Sequence, residues 1–523
     1  MATNVSFGEY TPPPPPKGTV DIRIGVFFDG TQNNRRNTQA GGNLSGYKPT
    51  QEEKDAYRKY SNKEDDSYMN DLSNVARKEL HYKKEKYVDS VYIEGIGTDD
   101  LGADTDDKLD HLGVAFGAGK QGVIAKVRKG CELIAKKIKK LNDRDKINTL
   151  TLDVFGFSRG SAAARNFIYE ISKNKYLPLD GTKIVGTGSV KIKTDDYKVE
   201  TTEKEFPKNG HLGLQLKLKK IEYSRINIRF VGLYDTVSSY DPNATNTTIN
   251  PDYTNDVKEL HLNSLNLEVN DLYKAKKIIH FCAADEHRKN FMLTPTKRAG
   301  GQDFYLPGVH SDVGGCYTDK MDEDDVQIMD FDNVSGGRSD EEWDEILNND
   351  LNDLIAQGWF KELEVVRPNY WHETHINRKG IRNTYSFVTL HLMAEKLNKE
   401  YAGTIKMTDL NKYFGIPKQG KPDELDLNKV KQRLEKYING ELPKMTYHTK
   451  PEIEKMRKKL DLKNAKEVEN FNLKVYDHNM LNRLRSKYIH WNSQFGAISG
   501  AYLPNYKIVG KTIVRFRKIE PNS

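Results

Sequence analysis

Residues 149–167 read TLTLDVFGFSRGSAAARNF, and this stretch decides the fold. Its first half carries alternating apolar residues between Leu150 and Phe155, which predicts a short buried strand. Residues 156–160 then have the pattern Gly-x-Ser-x-Gly, and the run of small residues after them favours a closely packed helix. Strand, sharp turn and helix form the context in which this motif presents a nucleophilic serine at the edge of an α/β sheet.

Ser158 lies at the centre of this motif, and we interpret it as a nucleophile. Gly156 and Gly160 lack a Cβ atom, so the backbone can take the strained turn of a nucleophile elbow. The amide of Arg159 then lies at the positive end of the new helix, where it can stabilise a developing oxyanion. The alternative is a tight strand–helix connection in which Ser158 only caps the helix.

The regions on both sides of the motif repeat the α/β pattern. Residues 123–141 form an amphipathic helical pattern, and residues 21–28 and 87–98 each predict a strand. We also expect a strand that ends at Asp235, a helix over 276–293 and a short strand over 304–306. The fold class that follows is an α/β-hydrolase-like, mostly parallel sheet flanked by helices, with insertions and a mainly helical C-terminal region.

The chain divides into three regions by composition. Residues 1–20 contain five consecutive prolines and predict a stiff polyproline II arm, which either docks a partner or is a disordered leader. Residues 21–330 form the catalytic domain, with an insertion at about 180–222 whose alternating apolar residues, including 214–218, predict a β-hairpin. Residues 331–523 are charged and mainly helical, end in a strand over 506–519, and are a candidate lid or membrane-docking module.

The overall composition excludes several classes of protein. The 523 residues carry 82 basic and 75 acidic side chains, and this near balance does not predict nucleic-acid binding. Three cysteines imply no disulfide framework. The chain has no long apolar run and no signal peptide, so we expect synthesis in the cytoplasm and, for any action outside the cell, dedicated secretion machinery.

Asp29, Gly30 and Thr31 follow the first strand. The same three-residue sequence occurs in haloacid-dehalogenase phosphatases, but their nucleophilic aspartate would have to stand where Phe27 is, which excludes phosphotransfer. We expect instead that the Gly30 and Thr31 amides contribute to an oxyanion hole and that Asp29 organises the loop.

A nucleophilic serine needs a histidine to take its proton and a carboxylate to orient that histidine. In α/β-hydrolases these partners follow the serine in the order acid, then histidine, which favours Asp235 and His310. Asp285 and Asp312 are second-tier acids, and His490 is a second-tier base that could line the pocket.

The stretch 99–110 concentrates six aspartates around a glycine. Calcium favours oxygen-rich loops, but the spacing and the final glutamate of an EF-hand are missing. We expect a solvated acidic loop, no metal ligands and no cofactor, with Ca²⁺ at this loop as the alternative.

Five separated motifs, VFFDGTQNN, GFSRGSAAARNF, VGLYDTVSSY, AADEHRKNF and LPGVHSDVGGCY, follow one another between about 20 and 320. In this order they resemble the α/β-hydrolase domain of bacterial type VI secretion lipase effectors whose nucleophile motif is G-F-S-R-G. The resemblance implies an antibacterial phospholipase A that hydrolyses acyl esters of membrane glycerophospholipids through an acyl-enzyme, with Ser158, Asp235 and His310 as its triad. It further implies a secretion spike protein and an immunity protein as partners, and action at the membrane or periplasm of a target cell.

Two other functions are compatible with the same residues. One is a serine esterase or peptidase that acts on soluble substrates through the same triad. The other is a non-catalytic secretion adaptor that keeps a hydrolase fold and binds partners through its arm and its charged C-terminal region.

Overall fold

We describe the protein from a computed structural model. It describes residues 14–42, 47–62, 66–104, 121–142, 144–176, 207–238, 275–329, 339–366, 373–421, 424–495 and 502–520, together with the backbone of 189–193 and 198–202. Most of the proline-rich arm and the second half of the acidic stretch lie outside these residues.

A parallel six-stranded sheet forms the centre of the molecule, in the strand order β2-β1-β3-β6-β7-β8. A three-stranded sheet, β10-β11-β9, and two hairpins, β4-β5 and β12-β13, complete the strands of the described residues. In chain order the strands are β1 (Thr19–Phe28), β2 (Val88–Ile93), β3 (Lys146–Phe157), β4 (Ser189–Lys193), β5 (Lys198–Thr202), β6 (Tyr223–Tyr234), β7 (Lys277–Ala283), β8 (Gln302–Leu306), β9 (Met321–Met329), β10 (Val365–Val366), β11 (Thr374–Ile381), β12 (Tyr506–Val509) and β13 (Thr512–Arg515).

Helices cover the sheet and make up much of the C-terminal region, so the predicted α/β-hydrolase-like fold is confirmed. Within the described residues, no helix combines the length and the apolar character that crossing a bilayer requires. In chain order the α-helices are Arg35–Gly41, Gln51–Tyr60, Asn74–Leu80, Val123–Leu141, Arg159–Ser172, Gly210–Leu218, His310–Gly314, Asp340–Ala356, Tyr385–Glu400, Met407–Phe414, Leu427–Ile438, Lys450–Lys459 and Ala465–Tyr488.

The two faces of the central sheet are buried in different ways. On one face, aliphatic side chains of β3 such as Leu152 and Val154 pack with the helices Val123–Leu141 and Arg159–Ser172. On the other face, aromatic side chains such as Phe155 join a core to which the C-terminal region contributes many residues. The C-terminal region therefore shares a hydrophobic core with the sheet and covers one of its faces.

Residues 276–293, expected to be helical, contain β7 instead. Ile279 and Phe281 are fully buried, and β7 pairs with β6 on one side and β8 on the other. Periodicity does not distinguish a short apolar run in a strand from a buried helix, and here the neighbouring strands decide.

Two further expectations need correction. The β-hairpin predicted in the insertion exists as β4-β5, but 214–218 belongs to the helix Gly210–Leu218, which buries Leu212 and Leu216 in the aliphatic core. The terminal strand is a hairpin that turns at Gly510, whose φ is +63°. The region after 330, predicted to be mainly helical, also contributes β10 and β11, which form a small sheet with β9.

Candidate functional site

Ser158 occupies a strained turn between β3 and the helix Arg159–Ser172. Its φ of 57° and ψ of −130° are unusual for a residue that carries a side chain. The neighbouring strand β6 stabilises the turn, because the Ser158 amide donates a hydrogen bond to the Tyr234 carbonyl at 3.0 Å. A strained strand-to-helix turn of this kind is the backbone geometry that the predicted nucleophile elbow requires.

The two glycines of the motif lie where no side chain fits. A Cβ atom on Gly160 would lie 2.2 Å from the Asp29 carbonyl oxygen, and one on Gly156 would lie 2.5 Å from the Ser161 Cα. Both contacts are with backbone, which cannot move away easily. The elbow therefore depends on close approach of the helix to the end of β1 and to its own strand.

Asp235 and His310 form a hydrogen-bonded pair at the same edge of the sheet. The His310 Nδ1 lies 2.5 Å from the Asp235 Oδ2, and the Ala283 amide donates to the Asp235 Oδ1 at 2.8 Å. Asp235 directly follows β6, and His310 begins a five-residue helix after β8. Both residues are almost completely buried.

The fold brings Ser158 to this pair through adjacent parallel strands. Phe157 on β3 pairs in register with Tyr234 on β6, so Ser158 and Asp235 leave neighbouring strands side by side. The Phe157 ring centroid lies 4.6 Å from that of His310. Among the described residues there is no hydrogen bond between the Ser158 hydroxyl and the imidazole, a bond that often tightens only when substrate binds.

The electrostatics of the pair fit a neutral base beside an ionised acid. Burial lowers the pKa of His310 below its ordinary value, and the Asp235 carboxylate opposes this shift. Burial alone would raise the pKa of Asp235, but the Arg517 guanidinium and the hydrogen bond to His310 outweigh it and lower the pKa to about 2. Near neutral pH the imidazole can therefore accept a proton.

A family model described as "T6SS, Phospholipase effector Tle1-like, catalytic domain" matches residues 23–333. The chain belongs to this family of type VI secretion phospholipase effectors. Comparison with curated proteins gives no match.

Two solved structures are similar to this Tle1-like chain. One is described as "Structure of the Tle1 effector bound to the VgrG spike from the Type 6 secretion system", with 19% identity, coverage of 94% of this chain and 89% of that chain, and a TM-score of 0.52. The other is an uncharacterised protein from Pseudomonas aeruginosa, with 15% identity, coverage of 91% and 65%, and a TM-score of 0.36. At its level of identity, the first likeness shows a shared fold.

The loop after β1 only partly supports the predicted oxyanion hole. The Gly30 amide donates to the Asp29 Oδ1 at 2.7 Å. The prediction that this amide is an oxyanion donor is therefore corrected, because its hydrogen bond stays within the loop. Thr31 lies beside the elbow, because its hydroxyl accepts a hydrogen bond from the Arg159 Nε at 2.7 Å. Within the described part of the chain, the Thr31 amide has no hydrogen-bond partner.

Asp29 itself organises this loop from a buried position. Its second carboxylate oxygen accepts a hydrogen bond from the Tyr92 hydroxyl at 2.6 Å. Burial raises the pKa of Asp29 to about 6, although these hydrogen bonds oppose the shift.

The second-tier acids have other partners than His310. Asp285 accepts hydrogen bonds from the Gly308 amide at 2.7 Å and from Arg485 at 2.9 Å, so it joins the loop before His310 to the C-terminal region. Asp312 lies 2.7 Å from the Nδ1 of His490, which makes a second buried Asp–His pair. The His490 ring stacks on Tyr317, with the ring centroids 3.9 Å apart. None of these contacts links His490 to Ser158.

The sequence did not predict a role at the site for two residues, Arg517 and Glu286. Arg517 belongs to the C-terminal segment and forms an ion pair with Asp235. Glu286 accepts a hydrogen bond from the His310 amide at 3.2 Å and pairs with Arg288. Their contacts with the triad residues reach across 282 positions for Arg517 and 24 positions for Glu286, so sequence spacing does not identify them.

One group in the described residues could offer three metal ligands, namely His280, Cys282 and Asp303. Its hydrogen bonds do not fit a metal site. The His280 Nδ1 lies 2.8 Å from Asp303, and its Nε2 accepts from the Thr236 amide at 3.0 Å, so both ring nitrogens are engaged. In the described part of the acidic stretch, Asp104 accepts two hydrogen bonds from Ser67. The solvated acidic loop without a metal stays a prediction, with calcium at this stretch as its alternative.

Proposed function

We propose that this chain is an antibacterial phospholipase A that hydrolyses acyl esters of membrane glycerophospholipids through Ser158, His310 and Asp235. The observation that carries the proposal is the 2.5 Å contact between the His310 Nδ1 and the Asp235 Oδ2. This pair supports the proposal because it lies at the same sheet edge as Ser158, and because it leaves the Nε2 of His310 to serve as the base. Family membership supplies the substrate class.

The proposed reaction assigns one role to each of these groups. His310 takes the proton from the Ser158 hydroxyl as its oxygen attacks the acyl carbonyl, and Asp235 stabilises the imidazolium that forms. The Arg159 amide, at the positive end of its helix, and the Thr31 amide face the negative charge that develops on the carbonyl oxygen. His310 then protonates the departing lysophospholipid, and a water molecule hydrolyses the acyl-enzyme by the same steps in reverse.

We also propose that a spike protein of the secretion machine carries this chain out of the producing cell, and that the chain acts at the membrane or periplasm of a target cell. The similar Tle1 effector, described in complex with a VgrG spike, supports the export step. An antibacterial lipase would endanger its producer, so we expect a cognate immunity protein.

The test is hydrolysis by Ser158→Ala, with Ser172→Ala as the matched control. Both serines belong to the same strand–turn–helix unit, but the Ser172 hydroxyl bonds to the Tyr169 carbonyl at the far end of the helix. The substrate is a mixed-phospholipid vesicle, and mass spectrometry of the products identifies the bond that is cut. We expect no fatty-acid release from Ser158→Ala and wild-type release from Ser172→Ala. Equal release from both variants would disprove the assigned nucleophile.

The same assay separates the other functions. A wild-type enzyme that cleaves short monomeric esters but not vesicles would be an esterase for soluble substrates. A wild-type chain that cleaves neither, and whose Ser158 is not labelled by a fluorophosphonate probe, would act as a secretion adaptor.

A further inference from the structure

The carboxylate of Asp235 has a second partner, which comes from the far end of the chain. Arg517 donates hydrogen bonds to it from two nitrogens, one 2.6 Å from the Oδ1 and the other 2.9 Å from the Oδ2. The third nitrogen of the guanidinium, Nε, donates to the Phe291 carbonyl at 2.7 Å. Both charged side chains are buried, with exposed fractions of 7% for Arg517 and 0% for Asp235.

Backbone hydrogen bonds hold the C-terminal segment that carries Arg517. The Leu293 amide donates to the Lys518 carbonyl at 2.9 Å, and the Glu520 amide donates to the Leu293 carbonyl at 2.8 Å. On the other side of Arg517, the Phe516 amide donates to the Asn505 carbonyl at 3.1 Å. The guanidinium is thus placed by contacts on both sides along the chain.

This arrangement determines how the acid can act. A carboxylate that receives a bidentate guanidinium is fixed in its plane, since both of its oxygens have directed donors. With the Oδ1 held by Arg517 and the Ala283 amide, the Oδ2 is directed at the imidazole of His310. A buried carboxylate without a cation would favour its protonated form and would be free to rotate.

We propose that Arg517 is a positioning residue of the catalytic triad, which holds Asp235 ionised and aims its Oδ2 at His310. The inference rests on the proposed function, because it assigns Arg517 a role only if Asp235 and His310 do the chemistry. Arg517 lies outside the residues 23–333 that the catalytic-domain model covers. The catalytic unit of this chain therefore includes its C-terminal segment.

The proposal has a consequence for pH dependence. The charged groups that face His310 are Asp235, Glu286 and Arg288, and Arg517 faces it from behind Asp235. Without Arg517, the pKa of Asp235 rises, because the cation that holds it low is lost. This change moves the loss of activity on the acidic side to higher pH, since a protonated Asp235 cannot stabilise the imidazolium of His310.

The decisive comparison is Arg517→Gln against Arg515→Gln. Arg515 is the matched control, since it lies two residues away and makes the same kind of bidentate pair with Asp350, at 2.7 and 2.8 Å, without contact with the triad. On a monomeric ester, we expect Arg517→Gln to lower kcat about 10- to 100-fold, as part of the contribution of acid–base catalysis, with KM unchanged. Its acidic limb should move to higher pH, whereas Arg515→Gln should keep the wild-type profile.

Two further variants keep the test decisive if Arg517→Gln does not fold. Arg517→Lys keeps the charge but cannot grip both oxygens, so a folded variant with wild-type kcat would overturn the proposal. Arg517→Ala should recover activity in millimolar guanidinium chloride but not in equal sodium chloride. A kcat and pH profile of Arg517→Gln equal to those of Arg515→Gln would also overturn it, while labelling of Ser158 by a fluorophosphonate in the wild type would show that the triad itself stands.

Discussion

Replacing Asp235 by asparagine tests the site most directly, because the change keeps the shape of the side chain and removes its charge. The Oδ1 accepts from two protein donors, Arg517 and the Ala283 amide, whereas among the described residues the Oδ2 accepts only from Arg517 besides facing His310, so the asparagine carbonyl takes the Oδ1 position. Its amide group then faces the Nδ1 of His310, where it donates a hydrogen bond and forces the ring proton onto the Nε2. In that tautomer His310 cannot accept the proton of Ser158.

The expected loss is about 10⁴-fold in kcat, the size seen when a serine hydrolase is left with the wrong histidine tautomer. At about 1.4 kcal/mol for each factor of ten, this corresponds to about 5 kcal/mol of transition-state stabilisation. The variant also removes the ion-pair partner of the buried Arg517, which costs about 3–5 kcal/mol of folding stability. Thermal unfolding must therefore be measured beside activity.

The assay is single-substrate kinetics on a monomeric ester, with Asp312→Asn as the comparison. Asp312 pairs with His490 in the same way as Asp235 pairs with His310. Comparing the two variants therefore tests which buried Asp–His pair is catalytic. We expect Asp312→Asn to keep activity within about tenfold of the wild type, since it removes no group that acts on Ser158. A folded Asp235→Asn enzyme with near-wild-type kcat, or a reversal of the two effects, would refute the triad.

The remaining predictions concern pH, the elbow and metals. Burial lowers the pKa of His310, so kcat/KM should stay high as the pH falls below about 6.5 and should decline only when the pH passes the lowered pKa. A pH profile on a monomeric ester that already declines above pH 7 would contradict this. Gly160→Ala should destabilise the fold by about 1–3 kcal/mol and abolish labelling of Ser158, since its Cβ would meet the Asp29 carbonyl oxygen at 2.2 Å; unchanged thermal unfolding would argue against the strict elbow. Incubation with EDTA should leave hydrolysis unchanged, and a loss that Ca²⁺ restores would instead show that the enzyme needs calcium.

Much of the site could be predicted because its signals are local. A strand followed by Gly156, Ser158 and Gly160 defines the elbow, since the glycines allow a backbone path that other residues forbid. The amphipathic period of Val123–Leu141 predicted that helix with its exact bounds. The order of the serine, Asp235 and His310 along the chain agrees with the strand ends on which the structure places them.

The sequence by itself therefore determined those helices, strands and turns whose conformational preference depends on residues a few positions away. Only the tertiary structure decided that 277–283 is a strand, because the pairing of β7 with β6 and β8 outweighs an ambiguous local pattern. Only the structure showed that His490 pairs with Asp312, and that Arg517 pairs with Asp235 although 282 positions of chain separate them. An ion pair between such distant residues forms only when the complete tertiary structure has formed, and no periodic pattern in the sequence predicts it.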